Sequence, residues 1–144
     1  MATVKRTIII NAPVEKVFNY IAEPRNEPEY LPGSVEVTAV TRTEEVVGSQ
    51  YRWVYKILGI RFHGESTVTE FVPNERIVTE SKGGILSTWT YTFQPEDGGT
   101  KMTLTVDYTI PVPVLGKFAE GLVLKQNERE ADLATANLKD ILEA

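Results

Sequence analysis

Between residues 35 and 110 apolar and polar side chains alternate with a period of two, the pattern of strands that bury one face. Val35, Val37 and Ala39 alternate with Glu36 and Thr38; Tyr51, Trp53, Tyr55 and Ile57 alternate with Arg52, Val54 and Lys56. After a tight Leu58-Gly59 turn, Ile60, Phe62, Gly64, Ser66 and Val68 oppose Arg61, His63, Glu65, Thr67 and Thr69. Pro73-Asn74-Glu75 makes a turn, residues 76–82 the next strand, and Gly83-Gly84 the next hairpin. Trp89, Tyr91 and Phe93 alternate with Thr88, Thr90 and Thr92; Asp97-Gly98-Gly99 is a strong hairpin signal. Met102, Leu104, Val106, Tyr108 and Ile110 then alternate with Thr103, Thr105, Asp107 and Thr109. Upstream, residues 4–11 form a β-branched strand whose Ile8-Ile9-Ile10 run predicts cover on both faces. Ala12-Pro13 opens a short helix with Val14, Val17, Phe18 and Ile21 on its apolar face. Pro24, Pro28 and Pro32 cut the next stretch into one-turn pieces ending at Gly33, with Tyr30 and Leu31 tucked inward.

From Val114 the period changes. At about 100° per residue, Lys117, Gly121, Lys125, Glu128, Asp132, Thr135, Lys139 and Glu143 fall on one narrow solvent stripe of a long helix. Leu115, Phe118, Leu122, Val123, Leu124, Ala131, Leu133, Ala134, Ala136, Leu138, Ile141 and Leu142 cover most of the remaining circumference. A helix this apolar must be gripped on three sides. The two N-terminal helices are too short to bury a one-faced antiparallel sheet, so the long helix must do it. The expected fold is α+β: a curved antiparallel sheet of about seven strands around a C-terminal helix, with two short helices after the first strand, in a single domain spanning residues 1–144.

Composition narrows the function more than the fold. Hydrophobic content of 42% and charged content of 24% suit an ordinary globular domain. The absence of cysteine excludes disulfides, thiolate metal sites and a Cys nucleophile. With His63 as the single histidine, on the outward face beside Arg61 and Glu65, a transition-metal site or a Ser-His-Asp triad is not expected. No metal or other cofactor is expected. A net charge of −5 argues against a broad phosphate-binding surface, hence no nucleic acid partner. No window reaches the length of a membrane span, so no integral membrane association is expected and a cytoplasmic location is the default.

The order of strand, two short helices, six strands and a long terminal helix resembles the START-like (SRPBCC) superfamily with its helix-grip fold. Ile10-Asn11-Ala12-Pro13-Val14-Glu15-Lys16-Val17-Phe18 is similar to its opening, an apolar strand followed by Ala-Pro and a Val-Phe pair. Gly99-Thr100-Lys101-Met102 and the Leu138-Lys139-Asp140-Ile141-Leu142-Glu143 ending are similar to its polyketide cyclase/dehydrase-like branch. The resemblance covers essentially the whole chain and implies the fold. That superfamily includes carriers of lipids and hydrophobic ligands, aromatic polyketide cyclases, hormone receptors and chaperone regulators. No catalytic residue carries over.

If Met102 and Tyr108 face the helix, strand parity turns Tyr51, Trp53, Tyr55, Phe62, Trp89, Tyr91 and Phe93 toward it as well. Opposite them Gln126, Asn127, Glu130 and Asn137 sit inside the buried arc, where polar groups need partners. Rings carrying OH or NH groups suit an apolar ligand that also needs a few orienting hydrogen bonds; the alternative is that they simply fill the core. Glu130 is the sharpest single candidate, since a desolvated carboxyl there can bind a ligand or move a proton, unless it pairs with Arg129 or another cation. The expected ligand-binding set is Tyr51, Trp53, Tyr55, Phe62, Trp89, Tyr91, Phe93, Met102, Tyr108, Gln126, Glu130 and Asn137. The first reading is a binder of a hydrophobic small molecule or lipid. The alternatives are a polyketide cyclase/dehydrase-like enzyme with Glu130 as its catalytic candidate, and a protein-interaction or chaperone-regulator module using the outer sheet face. Pro111, Pro113, Gly116 and Gly121 weaken the start of the helix, Gly121 by about 1 kcal/mol, and place the expected cavity mouth there, near Leu58-Gly59.

Overall fold

The computed structural model describes residues 2–109 and 119–144. Seven strands form one curved antiparallel sheet: β1 Ala2–Ile10, β2 Ser34–Thr41, β3 Gln50–Ile57, β4 Ile60–Val72, β5 Arg76–Gly83, β6 Leu86–Glu96 and β7 Gly99–Thr109. Helix α1, Val14–Ala22, a 3-10 turn at Pro24–Asn26 and the one-turn helix α2, Glu27–Tyr30, separate β1 from β2, and α3, Ala119–Glu143, closes the chain. The strand order is β1-β7-β6-β5-β4-β3-β2, so every neighbour except the β1·β7 pair is joined in sequence order. Short turns make this possible. Leu58 and Gly59, like Asp97 and Gly98, both have positive φ, the two-residue geometry that matches the right-handed twist of a hairpin. This is the helix-grip arrangement expected from the alternation.

Three local expectations are corrected. β1 lies at the sheet edge and buries one face only: Ile10 is fully buried, whereas Ile9 is 48% exposed. In β2 the register shifts between Ser34 and Glu36 and again between Thr38 and Thr41. These bulges break strict parity, so Val35 and Ala39 are exposed while Ser34 is buried and Val37 and Val40 are half-buried. On α3, Leu122, Leu133 and Ala136 are exposed, and Thr135, assigned to the solvent stripe, is buried with its hydroxyl donating to the Ala131 carbonyl at 3.0 Å. The solvent arc of α3 is therefore roughly 140° wide and rotated from the expected one. Residues 114–118, the expected first turn of this helix, and the mouth placed beside them lie outside the described residues.

The core divides into two ends. At one, Phe18 of α1 meets Phe71 and Phe93 edge-on, each at 5.2 Å between ring centres, over Ile10, Met102 and Leu138. At the other, Tyr51, Trp53, Phe62 and Tyr108 from the sheet face Val123 and Ala131 of α3. The C-terminal end of α3 is pinned to the β1–α1 connection. Lys139 Nζ donates to the Ile9 carbonyl at 3.0 Å, the Asn11 N–H to Glu143 Oε2 at 2.8 Å, and Lys16 Nζ to the Leu142 carbonyl at 2.8 Å. Among the described residues no helix is long and apolar enough to cross a membrane.

Candidate functional site

Strand β3 builds one wall. Its period of two puts Tyr51, Trp53, Tyr55 and Ile57 on the same face, with Tyr51 and Tyr55 four residues and about 13 Å apart along the strand. Trp53 lies opposite Gly64 of β4, and any Cβ at that position would collide with the indole. The indole N–H donates to Ser66 Oγ at 3.0 Å. The second tryptophan, Trp89 of β6, donates to Ser87 Oγ at 3.1 Å, and the Ser81 and Ser87 hydroxyls are paired with each other. Both indole donors are thus satisfied by serines of the sheet.

Two carboxyls complete the site. Glu27 enters from α2 and accepts a 2.7 Å hydrogen bond from the Tyr51 hydroxyl on Oε1. Glu130 enters from α3 and accepts on its own Oε1 from both the Gly33 N–H and, at 3.1 Å, the Tyr55 hydroxyl. Gly33 is required there, because a Cβ would lie 2.7 Å from Glu130 Oε1 and equally close to the Tyr55 ring. Burial pushes the Glu27 carboxyl up to about 7, with the Tyr51 hydrogen bond pulling the other way. Burial also raises Glu130, opposed by its bonds from Gly33 and Tyr55. Burial holds the hydroxyls of Tyr30, Tyr51, Tyr55 and Tyr91 above the ordinary tyrosine range, with the nearby carboxyls adding to it, so all four are neutral donors at physiological pH.

Between this wall and α3 lies a cavity of about 80 Å³, on the scale where a single water takes roughly 10–15 Å³. That is room for a handful of waters; a one-ring guest, for which a cavity of roughly 150 Å³ suffices, enters only by widening it. Its walls are mainly apolar, from Val4, Leu31, Ile57, Ile85, Leu104, Val106 and Ala131 together with Tyr51, Trp53, Tyr55, Trp89 and Tyr108. Glu27, Glu130, Asn127 and the three serines are the polar exceptions. A smaller space of about 30 Å³ lies behind it, and Glu27, Tyr51 and Trp89 belong to both walls. The Tyr108 hydroxyl is buried without a hydrogen-bond partner among the described residues.

Of the residues expected at a binding site, Tyr51, Trp53, Tyr55, Trp89, Tyr108 and Glu130 line the larger cavity. Tyr91 lines the smaller one, its hydroxyl 3.2 Å from that of Tyr30. Phe62 packs beside the cavity wall, and Phe93 and Met102 belong to the other end of the core. Gln126 is half-buried outside the wall, and Asn137 donates to the Tyr30 carbonyl at 3.1 Å, tying α3 to α2. Glu130 has no ion pair with Arg129, which is exposed. Glu27, Asn127, Ser66, Ser81 and Ser87 are the polar wall residues absent from the expected set. The signal for Glu27 was available: Tyr30 and Leu31 were expected to face inward, and positions three and four residues before them share that face of a helical turn. Among the described residues no group of three or more acidic or histidine side chains is placed to hold a metal ion.

A family model described as polyketide cyclase / dehydrase and lipid transport matches residues 1–143. An uncharacterized 17.2 kDa protein of Streptomyces lincolnensis is 25% identical over 135 residues, 92% of this chain and 85% of that protein. Two solved structures share the fold at low identity. A START superfamily protein from Mycobacterium smegmatis aligns with a TM-score of 0.81 at 18% identity, covering 98% of this chain and 97% of that one. The Zhui aromatase/cyclase from a Streptomyces species aligns with a TM-score of 0.82 at 15% identity, covering 99% of this chain and 93% of that one.

Proposed function

The chain belongs to the polyketide cyclase/dehydrase and lipid transport family, and on that premise we propose that it binds a small, ring-bearing hydrophobic molecule in the cavity between β3–β7 and α3. The observation that carries this reading is the cavity wall. Five aromatic rings surround a space left open within the core, and two carboxyls with a buried, unpartnered tyrosine hydroxyl face into it. A core built only for stability would close such a space, since voids forfeit packing contacts. The wall is apolar enough to take a ring from water and polar enough to orient it.

Trp53 and Trp89 are the only tryptophans in the chain, and both line the cavity. Intrinsic fluorescence therefore reports occupancy directly. A neutral one-ring probe, ethylbenzene, should give a saturable change in tryptophan emission and raise Tm. The reading falls if ethylbenzene produces neither and native mass spectrometry of the purified protein finds no bound small molecule.

The second reading, a cyclase- or dehydrase-like enzyme, is favoured by one observation: Glu27 and Glu130 both reach the cavity with carboxyls raised by burial. Glu27 is the better matched of the two to proton transfer near neutral pH. Glu130, fixed by two donors on one oxygen, is better suited to orienting a substrate. Deuterium exchange from solvent into the carbon beside the carbonyl of a bound aryl ketone, lost in Glu27→Gln, is the expected signature. No exchange above the buffer rate would exclude this chemistry for that substrate class.

A further inference from the structure

The hydrogen-bonding capacity of the cavity wall is lopsided. Four of its donors are spent: the Trp53 and Trp89 indoles on serines, the Tyr51 and Tyr55 hydroxyls on the two glutamate carboxyls. Its strongest acceptors are not. Glu27 and Glu130 each use Oε1 alone, which leaves Oε2 of each without a partner among the described residues. The Tyr108 hydroxyl, only 7% exposed as a residue, has none either. Among the described residues the wall holds no lysine, arginine or histidine, so its only ionisable groups besides tyrosines are two acids. The Tyr108 hydroxyl and the Asn127 amide can each both donate and accept. A guest that brings donors meets the free carboxyl oxygens, and a negative charge would meet two carboxyls with no cation beside them among the described residues.

On the reading that the cavity binds a ring-bearing molecule, we propose that its ligand class is the apolar amine: a single ring carrying an ammonium that donates to the free oxygen of Glu27. The faces of the aromatic side chains suit the same choice, because a cation is attracted to an indole or phenol ring when water is excluded. The carboxyl needs no rearrangement to receive it, being held already by Tyr51.

Binding would then be linked to protons. Facing Glu27 are Tyr51 and Tyr55 from β3, Tyr30 on α2 and Tyr91 from β6, all uncharged, with Glu130 on the opposite wall. Among the described residues no cation near Glu27 offsets its burial, and its proton is held up to about 7. An ammonium supplies that cation and displaces the proton from the Glu27 carboxyl to solvent. Amine affinity therefore rises with pH from about 5.5 to 7.5, by roughly 25-fold for one proton released from a carboxyl with its midpoint near 7.

The test uses four probes of nearly equal size on the intact chain, followed by tryptophan fluorescence and calorimetry: ethylbenzene, 2-phenylethanol, 2-phenylethylamine and phenylacetate. At pH 7.5 the amine should bind about tenfold more tightly than the alcohol, and phenylacetate more weakly than ethylbenzene. Glu27→Gln should bring the amine-to-alcohol ratio below about two. The wild-type pH series needs no variant and keeps the test available if Glu27→Gln does not fold. Phenylacetate binding as tightly as the amine, a retained amine preference in Glu27→Gln, or amine affinity independent of pH from 5.5 to 7.5 would each overturn the proposal. If ethylbenzene binds and the amine gains nothing over it, the amine class falls while the cavity reading stands. If no probe binds, both fall.

Discussion

Gly64 has no side chain because the Trp53 indole occupies the space one would need, and Gly33 has none because Glu130 and the Tyr55 ring fill that space. Neither glycine sits at a positive φ, so the requirement is room rather than backbone freedom. Gly64→Ala should destabilise the chain by about 1–3 kcal/mol through overpacking, measured by urea unfolding, and should red-shift tryptophan emission as the indole is pushed toward water. Gly33→Ala should act at a second place, displacing Glu130 from its anchor. Glu27 makes the pH prediction. Its carboxyl keeps its proton up to about 7 in the folded chain against 4.5 for an ordinary glutamate, so between these values the folded state binds more protons than the unfolded one. That stabilisation is complete below the lower value and is lost as pH rises through the upper. Across pH 5 to 8 the wild-type Tm should fall relative to that of Glu27→Gln; parallel curves would contradict the assignment. Such residues were only partly legible in advance. The aromatic wall followed from strand parity, which is local. Glu27 lies in a single helical turn that holds Pro28, too short for a period of its own, and only its spacing from Tyr30 and Leu31 turns it inward.

At the level of the element, α3 shows what periodicity resolves and where it stops. Its sidedness and the inward direction of Glu130 follow from 3.6 residues per turn, as does the half-burial of Asn127 and Asn137. The exposure of Leu122 and Leu133 does not, because it depends on how far the curved sheet wraps round the helix, and β1 ends that wrapping at an edge. The β2 bulges are equally invisible to a pattern, being set by pairing with β3 across the loop of residues 42–49. Contacts between elements that never touch in sequence carry the site: Asn137 on α3 holds the carbonyl of Tyr30 at the end of α2, the helix that carries Glu27. Asn137→Ala should cost about 1 kcal/mol and speed amide hydrogen exchange across residues 27–33. Protection in β6 and β7 should be unchanged. Uniform loss of protection would instead mean that the asparagine serves the whole core.

For the molecule as a whole, ligand and fold share one free energy. A guest that binds only the folded chain adds about 2.7 kcal/mol at a hundred times its Kd, a rise of roughly 5–10 °C in Tm for a domain of this size. The architecture directs that gain. One end of the core is closed by α1 and the pinned terminus of α3, so the stabilisation falls on the other, where β3 and α3 face each other. At the boundary between the two spaces stand Trp89 and the hydrogen-bonded pair of Tyr51 and Glu27, in a wall shared by both. Such a boundary works as a ruler. In a series of alkylbenzenes lengthened one methylene at a time, each carbon should add about 0.8 kcal/mol until the chain reaches the shared wall, and the next should add nothing or subtract. The carbon count at that break reads out the depth of the first chamber, and in Tyr51→Phe, which removes the bond but keeps the ring, the break should move to longer chains.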